Sequence, residues 1–316
     1  MTTAFTNDSA RASQLFVDSA AFRRTLHGTI GLSCTTCHAD VTDYPHGSVA
    51  PPACGGCHER ARDAWDTSVH GRAQREKGLT IAPGCTDCHA DPRTSPHDIR
   101  ATADSLSPVR RAGVVNTCAR CHGGIRSEYD RSVHGAAFAG SNPDVPTCID
   151  CHTEHAVQPV TSPASSVYPT HIAQTCTACH DRLDLNDRYG LPTARRRTFL
   201  GSFHGIALEA GQLTVANCES CHGSHGILPS SDSASSTHPA NLQQTCGTCH
   251  PGIGPGVAQG RVHIASVRED INLFAFGVQW FYYMLMAGII LFAASMIALD
   301  QYRHRVVDPR RARRHG

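Results

Sequence analysis

The chain has 316 residues, a formal net charge of +1 at pH 7, 16 cysteines and 21 histidines. That charge gives no sign of the strongly basic surface a nucleic-acid binder carries. The cysteine and histidine counts turn attention to metal or haem chemistry.

Residues 1–19 form a lead-in that is expected to be flexible, without the charged-then-apolar pattern of an export signal. The expectation is that the true start lies upstream or that a leader is missing from this sequence. Residues 20–126 open with FRRTLHG (22–28), which carries His27. CTTCH follows, with Cys34, Cys37 and His38, then His46, then CGGCH with Cys54, Cys57 and His58. The next stretch, ERARDAWDTSVHG, predicts about three helical turns stopped by Gly71, with His70 at the helix end and Trp65 placed to pack on a ring edge. GGIRSEYDRSVHG reads the same way. CTDCH supplies Cys85, Cys88 and His89; His97 follows; CARCH supplies Cys118, Cys121 and His122.

Residues 127–263 repeat the pattern. YDRSVHG carries His134, CIDCH carries Cys148, Cys151 and His152, and His155 comes three residues later. A Pro/Ser-rich stretch (156–170), read as an exposed loop, leads to CTACH with Cys176, Cys179 and His180. FLGSFHG carries His204, CESCH carries Cys218, Cys221 and His222, and His225 follows. A second such loop (226–244) leads to CGTCH with Cys246, Cys249 and His250. His263, thirteen residues further, looks like the start of a fifth, vestigial unit. His171 and His238 read as surface residues or propionate contacts, and the run at 195–197 as a solvated face or propionate partners.

Residues 264–300 hold a linker and an uncharged stretch whose last 22 or so residues, from Val278 to Leu299, span about 33 Å as a helix, enough for a bilayer core. Aromatic residues cluster at its ends, as in a membrane belt. The tail 301–316 is rich in arginine, which makes it cytoplasmic by the positive-inside rule and puts residues 20–263 outside the cell membrane.

All sixteen cysteines fall in eight CxxC pairs, and histidine follows every pair. CxxCH is the attachment motif of c-type haem: two thiols reach the two vinyl groups and the histidine lies under the iron. Structural zinc could use four thiolates but asks for no adjacent histidine, and disulfides ask for none either. Eight covalent haems are therefore expected, with proximal ligands His38, His58, His89, His122, His152, His180, His222 and His250. The domain would carry about one haem for every thirty residues. The expected fold is mostly irregular and α-helical, with short helices and loops around a haem core, little or no β, and one C-terminal transmembrane helix.

Each SxHG histidine shares a frame: an aromatic five residues before it (Phe22, Trp65, Tyr129, Phe199), a hydroxyl two before (Thr25, Ser68, Ser132, Ser202), and glycine after. Recurrent histidines number eight (His27, His46, His70, His97, His134, His155, His204, His225), which matches eight distal positions; His263 is held in reserve. None of the four methionines lies among the motifs, so bis-histidine ligation is expected. His134 and His155 are expected to reach haems other than the one on Cys148 and Cys151.

On these motifs, residues 20–263 resemble the doubled-CxxCH, cytochrome c3-like multihaem cytochromes of bacteria and archaea. The resemblance implies closely packed haems in a continuous chain at low potentials. Some relatives work beside a cytochrome b or other quinone-reactive membrane subunit and pass electrons to extracytoplasmic redox partners. Membrane-anchored tetrahaem quinol dehydrogenases match less well, with an N-terminal anchor and half the haems. The expected function is electron transfer without bond chemistry of its own. Two alternatives stand beside it: a multihaem reductase of nitrite, hydroxylamine or a sulfur oxyanion with one open haem, and a subunit of an extracellular haem filament.

Overall fold

The structure is a computed structural model, and it describes residues 17–43, 49–90, 95–258, 263 and 273–307. Among them there are short helices, turns and loops, and no strand. The chain divides into a compact unit up to Gly260 and a second unit from Arg261. Among its described residues the second unit holds the helix Leu273–Tyr302, of 30 residues, and a short π-helical turn, Arg303–Val307. At 1.5 Å per residue it is about 45 Å long, and it is long and apolar enough to cross a membrane.

Within the first unit, the helices of the repeat differ from the sequence expectation at one point. No helix runs through to the glycine of SxHG. The helix Glu59–Thr67 stops, and a new one, Val69–Arg75, begins after Ser68. Gly123–Arg131 and Val133–Ala139 are likewise parted at Ser132. Serine is the cause. Ser68 Oγ donates to the Trp65 carbonyl (2.6 Å) and accepts from the Gly71 N–H (3.1 Å), so one hydroxyl closes the old helix and caps the new one. Ser132, Ser202 and Thr25 make the same two bonds in their own units. The distal histidine therefore sits in the first turn of a fresh helix, not at the end of an old one.

The glycine after each histidine serves the same corner. A Cβ on Gly71 would lie 2.1 Å from the Trp65 carbonyl oxygen, and one on Gly135 1.9 Å from that of Tyr129. The two helices cross too closely there for any side chain, which is a matter of space and not of helix stopping.

The aromatic residues tie each corner to the next CxxCH. Trp65 Nε1–H donates to the Pro83 carbonyl (3.1 Å) and Tyr129 O–H to that of Pro146 (2.8 Å), each two residues before a motif cysteine. Phe199 has no polar handle; it packs instead with Ala173 and Leu208, against which Cys218 also lies.

The Pro/Ser-rich stretches are not simply exposed. Ser165 and Ser235 are buried, as is Ser107 in the second unit of the repeat. The residue after each offers its carbonyl to the threonine preceding a motif cysteine: Pro108 to Thr117, Ser166 to Thr175, Ser236 to Thr245. Ser166 and Ser236 also donate to the carbonyls of Cys151 and Cys221. In the third and fourth units the loops are clamps that join the two motifs of a unit, and one serine of each, Ser165 or Ser235, goes inside.

Buried apolar residues number ten among those described, and buried polar ones also ten. A soluble domain of this length normally buries far more apolar surface than that. Gly135→Ala should cost about 3 kcal/mol or more through backbone collision. Gly124→Ala, where nothing lies within 4 Å, should stabilise by up to about 1 kcal/mol. Thermal unfolding of the haem-loaded protein checks both.

Candidate haem-ligand site

The first CxxCH motif of each unit lies on a short helical turn capped at its start, whereas the second lies at the end of a helix (Arg111–Ala119, Ile172–His180, Leu242–Gly247) or, for CGGCH, on a 3-10 turn. Thr147 and Asp150 bond reciprocally around CIDCH, and Asn217 and Ser220 do so around CESCH. None of the sixteen cysteines forms a disulfide. Among the described residues no three of His, Cys, Asp and Glu converge as a metal-holding group. What the fold brings together is histidines, in twos.

Seven such pairs are seen among the described residues. In four, the SxHG histidine faces the second CxxCH histidine of its own unit: His27 with His58 at 6.0 Å between ring centroids, His70 with His122 at 6.2 Å, His134 with His180 at 6.1 Å, His204 with His250 at 6.0 Å. In three, the first CxxCH histidine of a unit faces a histidine of the following unit: His38 with His97 at 6.0 Å, His89 with His155 at 5.9 Å, His152 with His225 at 6.0 Å. Two metal–imidazole bonds of about 2 Å in line put ring centroids about 6 Å apart. The donor set and its spacing fit a bis-histidine haem iron.

A second set of contacts keeps the same register. The residue before an SxHG histidine donates its N–H to a carbonyl of the next unit: Leu26 to Ile99 (3.0 Å), Val69 to Val157 (2.8 Å), Val133 to Ile227 (2.9 Å). Each acceptor lies two residues past His97, His155 or His225. One strap thus holds two distal histidines of neighbouring units side by side. This one-unit offset is what sequence reasoning missed, because spacing alone does not say which copy a histidine reaches.

Burial favours the ligand form. It pulls His134 down to about 4, and it also pulls His70, His89, His97, His152, His180 and His222 below the ordinary imidazole value. A neutral imidazole is the species that binds metal.

The motifs themselves stand in sequence order. Cys54 lies against Cys85, Cys118 against Cys148 and Cys176 against Cys218, close enough for the sulfurs to hydrogen-bond. In the intervening steps the thiols again feel one another: Cys37 and Cys54, Cys88 and Cys121, Cys151 and Cys179, Cys221 and Cys246. Every motif neighbours the next.

Other histidines have different work. His171 Nδ1 hydrogen-bonds the Ser165 carbonyl at 2.8 Å and its ring packs on Tyr168, which makes it part of a serine clamp. Asn241 does the same at the corresponding place, donating to the Ser235 carbonyl at 2.8 Å. His238 Nδ1 accepts from the Ala240 N–H. Trp65 has Arg62 over its ring at 5.3 Å. His46 lies outside the described residues.

Residues 26–102 match a family model described as Cytochrome c3. No curated protein and no solved structure matches the chain. The matched span covers the first two motifs, the third and their intervening histidines. It supports multihaem cytochrome c3-like character, covalently bound c-type haem and electron transfer.

The pairing can be tested one iron at a time. His155→Ala should convert one iron per chain from low-spin to high-spin in EPR. Adding Cys85→Ala and Cys88→Ala should abolish that high-spin signal, whereas adding Cys148→Ala and Cys151→Ala should leave it.

Proposed function

We propose that this chain is a membrane-anchored octahaem cytochrome that carries electrons between a quinone-reactive or cytochrome b-type membrane partner and extracytoplasmic redox proteins. The observation that carries this reading is the set of seven imidazole pairs at 5.9–6.2 Å along an unbroken file of CxxCH motifs. The haem irons supply one-electron chemistry, cycling between ferric and ferrous. The chain attaches them through cysteine pairs, fills both axial positions with imidazole, and sets their order. With both axial positions filled, no substrate reaches an iron, and imidazole on both sides favours a lower potential than a thioether would.

The apolar helix Leu273–Tyr302 and the arginines that follow it support a single-pass anchor. In this proposal the CxxCH domain is extracytoplasmic and the tail cytoplasmic. The last motif, with Cys246 and Cys249, lies nearest the anchor in sequence and is the exchange point with the membrane partner.

The register refines the ligand set. A first-motif histidine takes its distal partner from the following unit. Run one step further, the rule asks for a histidine beyond His225 to serve the haem on Cys218 and Cys221. His263 stands in that stretch of sequence, and we propose it for that role. His46 opens the series with no earlier motif to serve, so the eight distal ligands become His27, His70, His97, His134, His155, His204, His225 and His263.

Low-temperature EPR of the oxidised, membrane-extracted protein, quantified against haem, tests the whole reading. Essentially all iron should be low-spin. A high-spin signal near one iron per chain would instead favour a reductase of nitrogen or sulfur oxyanions. His263→Ala should produce such a signal, and His46→Ala should not.

A further inference from the structure

The imidazole pairs share one separation but not one orientation. In five of them the two ring planes are tilted by 45–58°. In the other two the rings are stacked, His89 with His155 at 5° and His152 with His225 at 22°. Those two pairs have something else in common. A carboxylate lies at the Nδ1 edge of the distal ring: Glu154 Oε1 is 3.7 Å from His155 Nδ1, and Glu128 Oε2 is 3.8 Å from His225 Nδ1. Among the described residues no carboxylate is within ion-pair distance of a ring nitrogen in any other of these paired histidines.

The two carboxylates come from different places. Glu154 directly precedes His155, whereas Glu128 stands on the helix Gly123–Arg131, four residues before the Ser132 corner. Where the second unit meets the third, the position matching Glu128 is Ala64. Where the third meets the fourth, the position matching Glu154 is Ser224, whose Oγ lies 3.5 Å from His225 Nδ1. Where the first meets the second, the two positions are Ala21 and Pro96, and there the pair His38–His97 is tilted by 57°. A carboxylate thus arrives by either of two routes, and the alignment of the rings goes with its arrival and not with the route. In both cases it meets Nδ1, which leaves Nε2 as the nitrogen for the metal.

We propose that Glu154 and Glu128 are positioning residues that hold His155 and His225 parallel to their partner rings and thereby lower the potentials of the haems attached through Cys85 and Cys88 and through Cys148 and Cys151. The inference rests on the multihaem reading above. A metal on Nε2 makes Nδ1–H a stronger donor, so a carboxylate beside it resists rotation of the ring and makes the imidazole the better electron donor to iron. A more strongly donating ligand favours ferric over ferrous iron. Both carboxylates face solvent, and screening confines each to the ring it touches. Ring alignment is visible in the ferric iron itself. Each imidazole acts on the iron dπ orbital that overlaps its own π system. Parallel rings act on the same orbital and separate the two dπ levels widely, which gives the ordinary rhombic low-spin EPR spectrum. Crossed rings act on both orbitals, leave the levels close, and give a single, strongly shifted low-field feature.

The test joins low-temperature EPR to a potentiometric titration of the full-length, haem-loaded protein in detergent. In Glu154→Gln the rhombic component should fall by one iron per chain while total low-spin iron stays constant, and the amplitude of one haem should move to higher potential. Glu128→Gln should do the same for another haem, and the double variant should show both changes. Glu209→Gln, at the end of the helix Phe203–Glu209, should match wild type in both readouts. Failure of either readout to move in the double variant at equal haem content overturns the proposal, as does an equal change in Glu209→Gln. Should one substitution cause loss of haem, the other single variant is judged by the same outcomes. Haem content by pyridine haemochromogen is measured separately; a chain carrying no haem overturns the functional reading itself and not only this inference.

Discussion

One iron holding two imidazoles needs their rings about 6 Å apart and facing it from opposite sides, and the local architecture of this chain is arranged around that separation. Histidine side chains are short, so the backbone must deliver them. The SxHG corner does so with one buried hydroxyl that ends a helix, starts another, and leaves the histidine in the first turn of the second. Its glycine allows the two helices to approach within a distance no side chain tolerates. The same corner recurs in all four units, and the four histidines it presents stand 6.0–6.2 Å from their partners.

The second class of pair is made by interlocking rather than by a local corner. His97, His155 and His225 each face a histidine of the preceding unit, and a backbone hydrogen bond beside each pins the offset. In the first three units the first CxxCH histidine finds its partner in the following unit. Stability and site geometry are therefore the same problem in this domain, since removing one unit would take away the histidine its neighbour faces. That dependence is unlike ordinary repeat proteins, where units share only an apolar interface.

The interior reflects this. Among the described residues hydroxyls and amides are buried as often as apolar side chains, and several of them cap the SxHG corners and the CxxCH turns. Covalent porphyrins, whose faces are apolar, suit a fold with so little side-chain core of its own. At two of the junctions an arginine pairs with an aspartate four residues on along its own helix, Arg62 with Asp66 and Arg126 with Asp130.

The sequence by itself determined the chemistry. CxxCH spacing is local, two thiols and a histidine within five residues, so attachment and the proximal histidines are readable without a fold. The SxHG frame, the absence of methionine among the motifs, the long apolar helix and the prevalence of short helices are local too. The tertiary structure alone decided which CxxCH histidine each described SxHG or intervening histidine faces. A repeat leaves that ambiguous, because His155 looks the same from Cys148 as from Cys85 until the units are packed. It also corrected the helix that was expected to run through to Gly71, since a serine two residues before a histidine can cap a new helix only when the chain turns there. Likewise the loops 156–170 and 226–244 carry the polar composition of exposed segments, yet Ser165 and Ser235 are buried, next to Ser166 and Ser236, whose bonds join residues nine and fifteen apart. Composition reports what a side chain is, whereas packing decides what it meets.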